Sequence, residues 1–142
     1  MMPRTPFATA RYAAVQLETD VAAASPHRLT LMLYDAAIAA VRRAAERMRA
    51  RDLATKGTAI SKAIQIIEEG LAASLDRAAG GELAARLAEL YDYMSRRLLL
   101  ASVRNDPDGL EEVARLLVEL REAWQAIGSD PTQEKPDARR GA

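Results

Sequence analysis

The sequence contains no cysteine, so disulfides and thiolate metal sites are excluded. It has one histidine, His27, and no Glu-x-x-His pair, the ligand pattern that a di-metal carboxylate site in a helical bundle requires. Aromatic residues make up only 4% of a chain that is 49% hydrophobic, and alanine supplies much of the difference. Alanine-rich helices approach closely and leave few large cavities, which argues against a roomy cofactor pocket. No apolar run approaches the 18 residues of a spanning helix, and Met1 to Phe7 lacks the apolar stretch of a signal peptide. Neither sign of charge is in excess: 20 basic and 20 acidic residues give a formal net charge of zero, whereas a general nucleic-acid binder carries a basic surplus. These absences together point to a cytoplasmic protein with no cofactor, no nucleic-acid partner and no membrane insertion.

Catalytic groupings are missing too. Ser25 reads as a helix cap, and Ser61, Ser74 and Ser95 fall inside helical stretches with no histidine partner. Asp35, Glu68, Glu69 and Asp92 could be placed inward as carboxylate ligands, but such residues ordinarily form solvated helix faces. His27 has no acidic neighbour in sequence and reads as an exposed helix-start residue. Gly80-Gly81 lacks the Gly-x-x-x-x-Gly-Lys spacing of a phosphate loop. The one basic cluster, Arg42 to Arg51, sits where a helix would end. There it reads as a solvated face favoured by the helix dipole, with phosphate contact as the alternative.

What the chain does have is helical periodicity, and at 142 residues it suits one domain. Residues 1–24 form an arm with two prolines and a short amphipathic stretch from Tyr12 to Ala24, with Tyr12 and Val15 on one side. Ser25-Pro26 is a cap followed by a proline in the first turn, and predicts a helix from Pro26 to about Arg49. Its stripe is Leu29, Leu33, Ala36, Ala37, Ala40 and Ala44. Asp52 caps a second helix to about Arg77, with Ile60, Ile64, Ile67, Leu71 and Leu75 in line. After the Gly80-Gly81 break, a third helix from Glu82 to Arg104 carries Leu83, Leu87, Leu90, Met94, Leu98 and Ala101. Asp106-Pro107 starts a fourth, ending near Ile127, with Leu110, Val113, Leu117, Leu120, Trp124 and Ile127. Residues 128–142 are polar and proline-containing, and read as a disordered tail.

Short connections favour antiparallel neighbours, so the fold class is all-α. The expected architecture is an up-down-up-down four-helix bundle over residues 25–127, with a mobile helical arm before it and the tail after it. The first helix is mostly basic and the fourth mostly acidic, so the two would face each other as neighbours. The helices also carry more large apolar residues than one seam needs, among them Leu31, Met32, Tyr34, Ile38, Val41, Ile66, Tyr91, Tyr93, Leu99, Leu100, Leu116 and Val118. Either these lie deep in the domain, or some line a groove that accepts helices from a partner.

One ordered set of motifs goes further. Tyr12, Val21, Ser25-Pro26 and the run from Leu29 through Met32-Leu33-Tyr34-Asp35-Ala36-Ala37-Ile38 open it. Lys62-Ala63, Ile66-Ile67, Leu75-Asp76, Gly80-Gly81-Glu82-Leu83-Ala84, Leu90-Tyr91-Asp92-Tyr93-Met94 and Leu120-Arg121-Glu122-Ala123-Trp124 follow. Over residues 12–127 this set resembles the flagellar secretion chaperone (FliS) family. Ala36 stands where that family commonly has glycine, and Ser102 where it has asparagine. The resemblance implies a non-enzymatic export chaperone that binds the disordered C-terminal segment of flagellin in the cytoplasm. It would prevent premature polymerisation and deliver the subunit to the flagellar type III export apparatus. An export-gate component or other flagellar regulators are further candidate partners. The expected partner-binding residues are Leu29, Met32, Leu33, Ile64, Ile67, Leu71, Leu99 and Leu100, with Tyr12 and Val15 of the arm as a removable cover. The alternative is a generic helical scaffold or regulator with a different partner.

Overall fold

The structure is a computed structural model and describes residues 24–129. Residues 1–23 and 130–142, and with them Tyr12 and Val15, lie outside the described residues. Every regular element among the described residues is helical. Helix α1 spans Pro26–Arg49, α2 spans Leu53–Gln65 and continues as a π-helical segment over Ile66–Ala72, α3 spans Arg77–Arg104, and α4 spans Pro107–Ser129.

The boundaries follow from capping chemistry. Ser25 Oγ accepts from the Arg28 amide at 3.1 Å, and Asp52 Oδ1 accepts from the Thr55 amide at 3.2 Å, each satisfying a first-turn donor. Helix α1 closes on Arg51, whose φ of 61° lets its amide reach Met48 O at 3.1 Å and the Asp52 amide reach Arg47 O at 2.9 Å. Asn105 stops α3 in the same left-handed way, at φ 49°.

Three boundaries differ from the sequence expectation. The second helix ends at Ala72 instead of Arg77, because Asp76 turns its carboxylate onto the Ala79 amide at 2.9 Å and starts α3 there. Gly81, at φ 54° and ψ −130°, then breaks α3 after its opening turn. That conformation suits only glycine. The break read at Gly80-Gly81 is thus present, but in the first turn after it Leu83, expected in the stripe, is 67% exposed and Ala84 takes the buried place. The fourth helix continues through Gly128 to Ser129.

The helices run up and down. His27 at the start of α1 meets Trp124 near the end of α4, while Arg49 at the end of α1 meets Glu111 near the start of α4 at 3.4 Å. Lys56 in the first turn of α2 reaches Ser102 and Asn105 at the end of α3. Arg97 of α3 binds Glu112 of α4 at 2.9 Å. The expected facing of α1 and α4 is therefore present, with the Asp35–Arg121 bond as a second pair of opposite sense. The core is Leu31, Tyr34, Ile38 and Val41 from α1, Ile60, Ile67 and Leu71 from α2 and its extension, Met94 and Leu98 from α3, and Leu110, Val113 and Leu117 from α4. Fully burying a side chain of this kind contributes about 1.5–3 kcal/mol. In α1 the buried stripe is rotated from the one read in the sequence: Leu29 and Leu33 lie at its edge, and Ala36 is exposed.

Candidate partner-binding surface

Two of the expected binding residues belong to the core. Ile67 is fully buried and Leu71 is 2% exposed, so neither offers a surface. Both continue the inward stripe of Ile60 along the second helix, which runs on into the π-helical turn at Ile66–Ala72. The remaining candidates fall on separate flanks of the bundle.

On the α1–α2 flank, Leu29, Met32 and Leu33 are half-buried. Leu33 sits directly over Gly70 in the wide turn: a Cβ there would lie 3.0 Å from Leu33 Cδ2. Leu33 thus reaches the backbone of the second helix and caps the seam from outside, packed against the core by its inner side.

On the α2–α3 flank, Ile64 is half-buried, and Leu99 is 55% exposed. The contacts of Lys56 with Ser102 and Asn105 place α2 along this side of α3. Leu99 precedes Ser102 by three residues and Val103 by four, so both lie on its helical face. Val103 is 81% exposed and Leu53, at the start of α2, 56%. Sequence reasoning passed over both. Val103 was legible as the i+4 neighbour of Leu99, and Leu53 as the first residue after the Asp52 cap, where a helix is least covered. Leu100 is exposed on a different flank, one turn on from Arg96 and Arg97 and toward α4.

Polar locks hold these helices in place. Lys56 is buried, and its ammonium donates to Ser102 O at 3.1 Å and Asn105 Oδ1 at 2.9 Å, using acceptors at the negative end of α3. The hydroxyls of Tyr34 and Tyr91 meet at 2.5 Å inside the core. Burial pushes both phenols above their ordinary range, with the mutual hydrogen bond adding to the rise in Tyr91. Glu112 accepts from Tyr93 and Arg97, which hold its carboxyl below the usual range.

His27 is not the free helix-start residue expected from the sequence. Its ring stacks on Trp124 at 5.3 Å between centroids and 16° between planes. Its Nε2 donates to Trp124 O at 2.7 Å, and Trp124 Nε1 donates to His27 O at 3.1 Å. The partner is 97 residues away, so no local pattern could reveal it. Among the described residues no three His, Asp or Glu side chains are grouped to hold an ion, and no helix is long and apolar enough to cross a membrane.

A helical bundle with apolar side chains left on the flanks of α2 and α3 has the surface of a protein-binding module. Residues 8–131 match the family of the flagellar protein FliS. The chain is 52% identical over 116 residues to the flagellar secretion chaperone FliS of Salmonella typhimurium, covering 82% of this chain and 86% of that one. It is 40% identical over 117 residues to FliSB of Pseudomonas aeruginosa, covering 82% and 92%, and 40% identical over 120 residues to FliS of Bacillus subtilis, covering 84% and 87%. The chain belongs to the FliS family of flagellar secretion chaperones.

Proposed function

We propose that this protein binds the C-terminal segment of flagellin in the cytoplasm, keeps it from polymerising and delivers it to the flagellar type III export apparatus, without catalysis or cofactor. The observation that carries the reading is the exposure of Leu99 and Val103, one turn apart on α3, in a member of the flagellar secretion chaperone family. Leu29, Met32 and Leu33 offer a second apolar face across α2, and Leu100 a smaller one beside it. A segment that is disordered when free can become helical against such faces and wrap around α2. It spends part of its interaction energy on ordering, which keeps the complex releasable.

Titration calorimetry with the C-terminal peptide of the same organism's flagellin tests this. A one-to-one complex with more helix than its separate components is expected, and a negative heat-capacity change should accompany it. Leu99→Asp should weaken binding about tenfold, near 1.4 kcal/mol, and leave the melting transition in place. Absence of binding by the unmodified protein refutes the reading.

A further inference from the structure

Gly57, in the second turn of α2, is a glycine for which the fold has no use. The other glycines among the described residues each have a reason. Gly81 takes a positive φ, and a side chain at Gly70, Gly80, Gly109 or Gly128 would crowd a close neighbour. Gly57 has neither: its backbone is ordinary helix, and a Cβ built on it would meet nothing within 4 Å. Glycine inside a helix costs stability relative to alanine, because it loses more backbone freedom on folding. No contact within this chain explains that cost.

The stripe that holds Gly57 lies toward α3. Gly57 follows Leu53 by four residues, so the two stand one above the other on α2. Leu53 lines a cavity of about 440 Å³ together with Asn105 and Pro107, just past the end of α3. Lys56, beside Gly57 in the chain, is bonded to Ser102 O, and Ser102 precedes Val103. The open space over Gly57 therefore has Leu53, 56% exposed, one turn away on α2, and Val103, 81% exposed, across from it on α3. Gly70 marks a different side of the second helix, under Leu33 of α1.

Resting on the flagellin-binding reading, we propose that Gly57 is a specificity-determining position: it leaves a slot in which one large apolar side chain of the client helix seats, between Leu53 and Val103. The occupant is the client because the slot continues the flank already given to it, Leu99 lying one turn before Val103. Its side chain is apolar because both walls are. A polar group pressed between them would lose water and gain no partner, whereas an apolar one gains by leaving water. The bare backbone at Gly57 also lets the client helix come to the near end of the usual spacing between packed helix axes, about 8–10 Å. The client side chain then fills the volume that a larger residue at position 57 would take. One position of the client is thereby fixed by size, and with it the register of a segment that a flat apolar face would leave free to slide.

Calorimetry with the flagellin C-terminal peptide and the full chain tests this, using Gly57→Ala, Gly57→Leu and, as a control that adds bulk at the exposed neighbour, Thr58→Leu. Gly57→Leu should unfold at the same urea concentration as wild type or a higher one, since nothing crowds the site and leucine is the better helix former. It should nevertheless bind the peptide about tenfold more weakly, with Gly57→Ala between it and wild type. Thr58→Leu should bind as wild type does. Among peptides in which each large apolar residue is cut to alanine singly, one should lose affinity for the unmodified chain and lose little more for Gly57→Leu. Wild-type affinity in Gly57→Leu, or an equal loss in Thr58→Leu, overturns the slot and leaves the flagellin reading intact. Failure of Gly57→Leu to fold overturns it as well, because the space would then belong to the fold. Self-association of the free chain that Gly57→Leu abolishes, with its affinity for the peptide unchanged, gives the slot to a second copy instead. A peptide that does not bind the unmodified chain overturns both readings.

Discussion

Gly128→Ala sets two well-measured effects against each other at the end of α4. Replacing a helical glycine by alanine ordinarily stabilises a helix by up to about 1 kcal/mol. Here the added Cβ would overlap Cε1 and Nε2 of the His27 ring, so the imidazole must leave. Its departure ends the stack on Trp124 and the 2.7 Å bond to Trp124 O, and loosens the return bond from Trp124 Nε1. A stacked aromatic pair is worth about 0.5–1.5 kcal/mol and each hydrogen bond about 0.5–1.5 kcal/mol. Setting the propensity gain against these losses leaves a net destabilisation of about 1–2 kcal/mol. The corresponding fall in melting temperature is about 3–6 °C for a domain of this size. Urea unfolding followed by helical circular dichroism gives the global stability, and the single tryptophan, Trp124, reports the clasp by fluorescence. In a His27→Ala background the steric conflict is gone, and the same Gly128→Ala change should become neutral or stabilising. Gly128→Ala that is as stable as wild type, or more so, with His27 in place refutes the reasoning.

Lys56→Met should keep the aliphatic volume but leave Ser102 O and Asn105 Oδ1 without their donor, costing about 1–3 kcal/mol by urea unfolding, and the α3–α4 turn should exchange amide hydrogens faster. The Glu112 carboxyl is held below its ordinary 4.5, first by the Tyr93 hydroxyl and then by Arg97. A depressed carboxyl adds stability above the unfolded value, and the contribution is lost as pH falls through the folded value. Glu112→Gln should therefore lower the urea midpoint at neutral pH, and the gap should close on the acid side of pH 4.5; a gap that is constant with pH contradicts the assignment.

The parts of the fold legible in the sequence are those governed by neighbours along the chain. Ser25-Pro26 and Asp52 mark helix starts because a cap needs only the next three residues. Leu110, Val113 and Leu117 lie where a 3.6-residue period puts them, because α4 is regular there. Legibility fails where the backbone leaves that period. The break at Gly80-Gly81 was legible, but Leu83, in the first turn after it, is exposed while Ala84 is buried. The clasp of His27 with Trp124 and the clamp of Lys56 on Asn105 are invisible for a different cause: they join residues 97 and 49 positions apart.

The wide turn at Ile66–Ala72 shows how such a departure bears on the surface as well as the core. Gly70 in this turn lies beneath Leu33, and Ile67 and Leu71 on either side stand in the interior. Apolar residues were in excess in the sequence, but excess alone does not say which of them face out. The bundle resolves it by position: the second helix turns Ile60, Ile67 and Leu71 inward and leaves Leu53 exposed, while α1 supplies half-buried Leu29 and Met32 and α3 exposed Leu99 and Val103. A client that engages both flanks must cross α2. On the proposed function, such a path suits a client segment that is disordered when free.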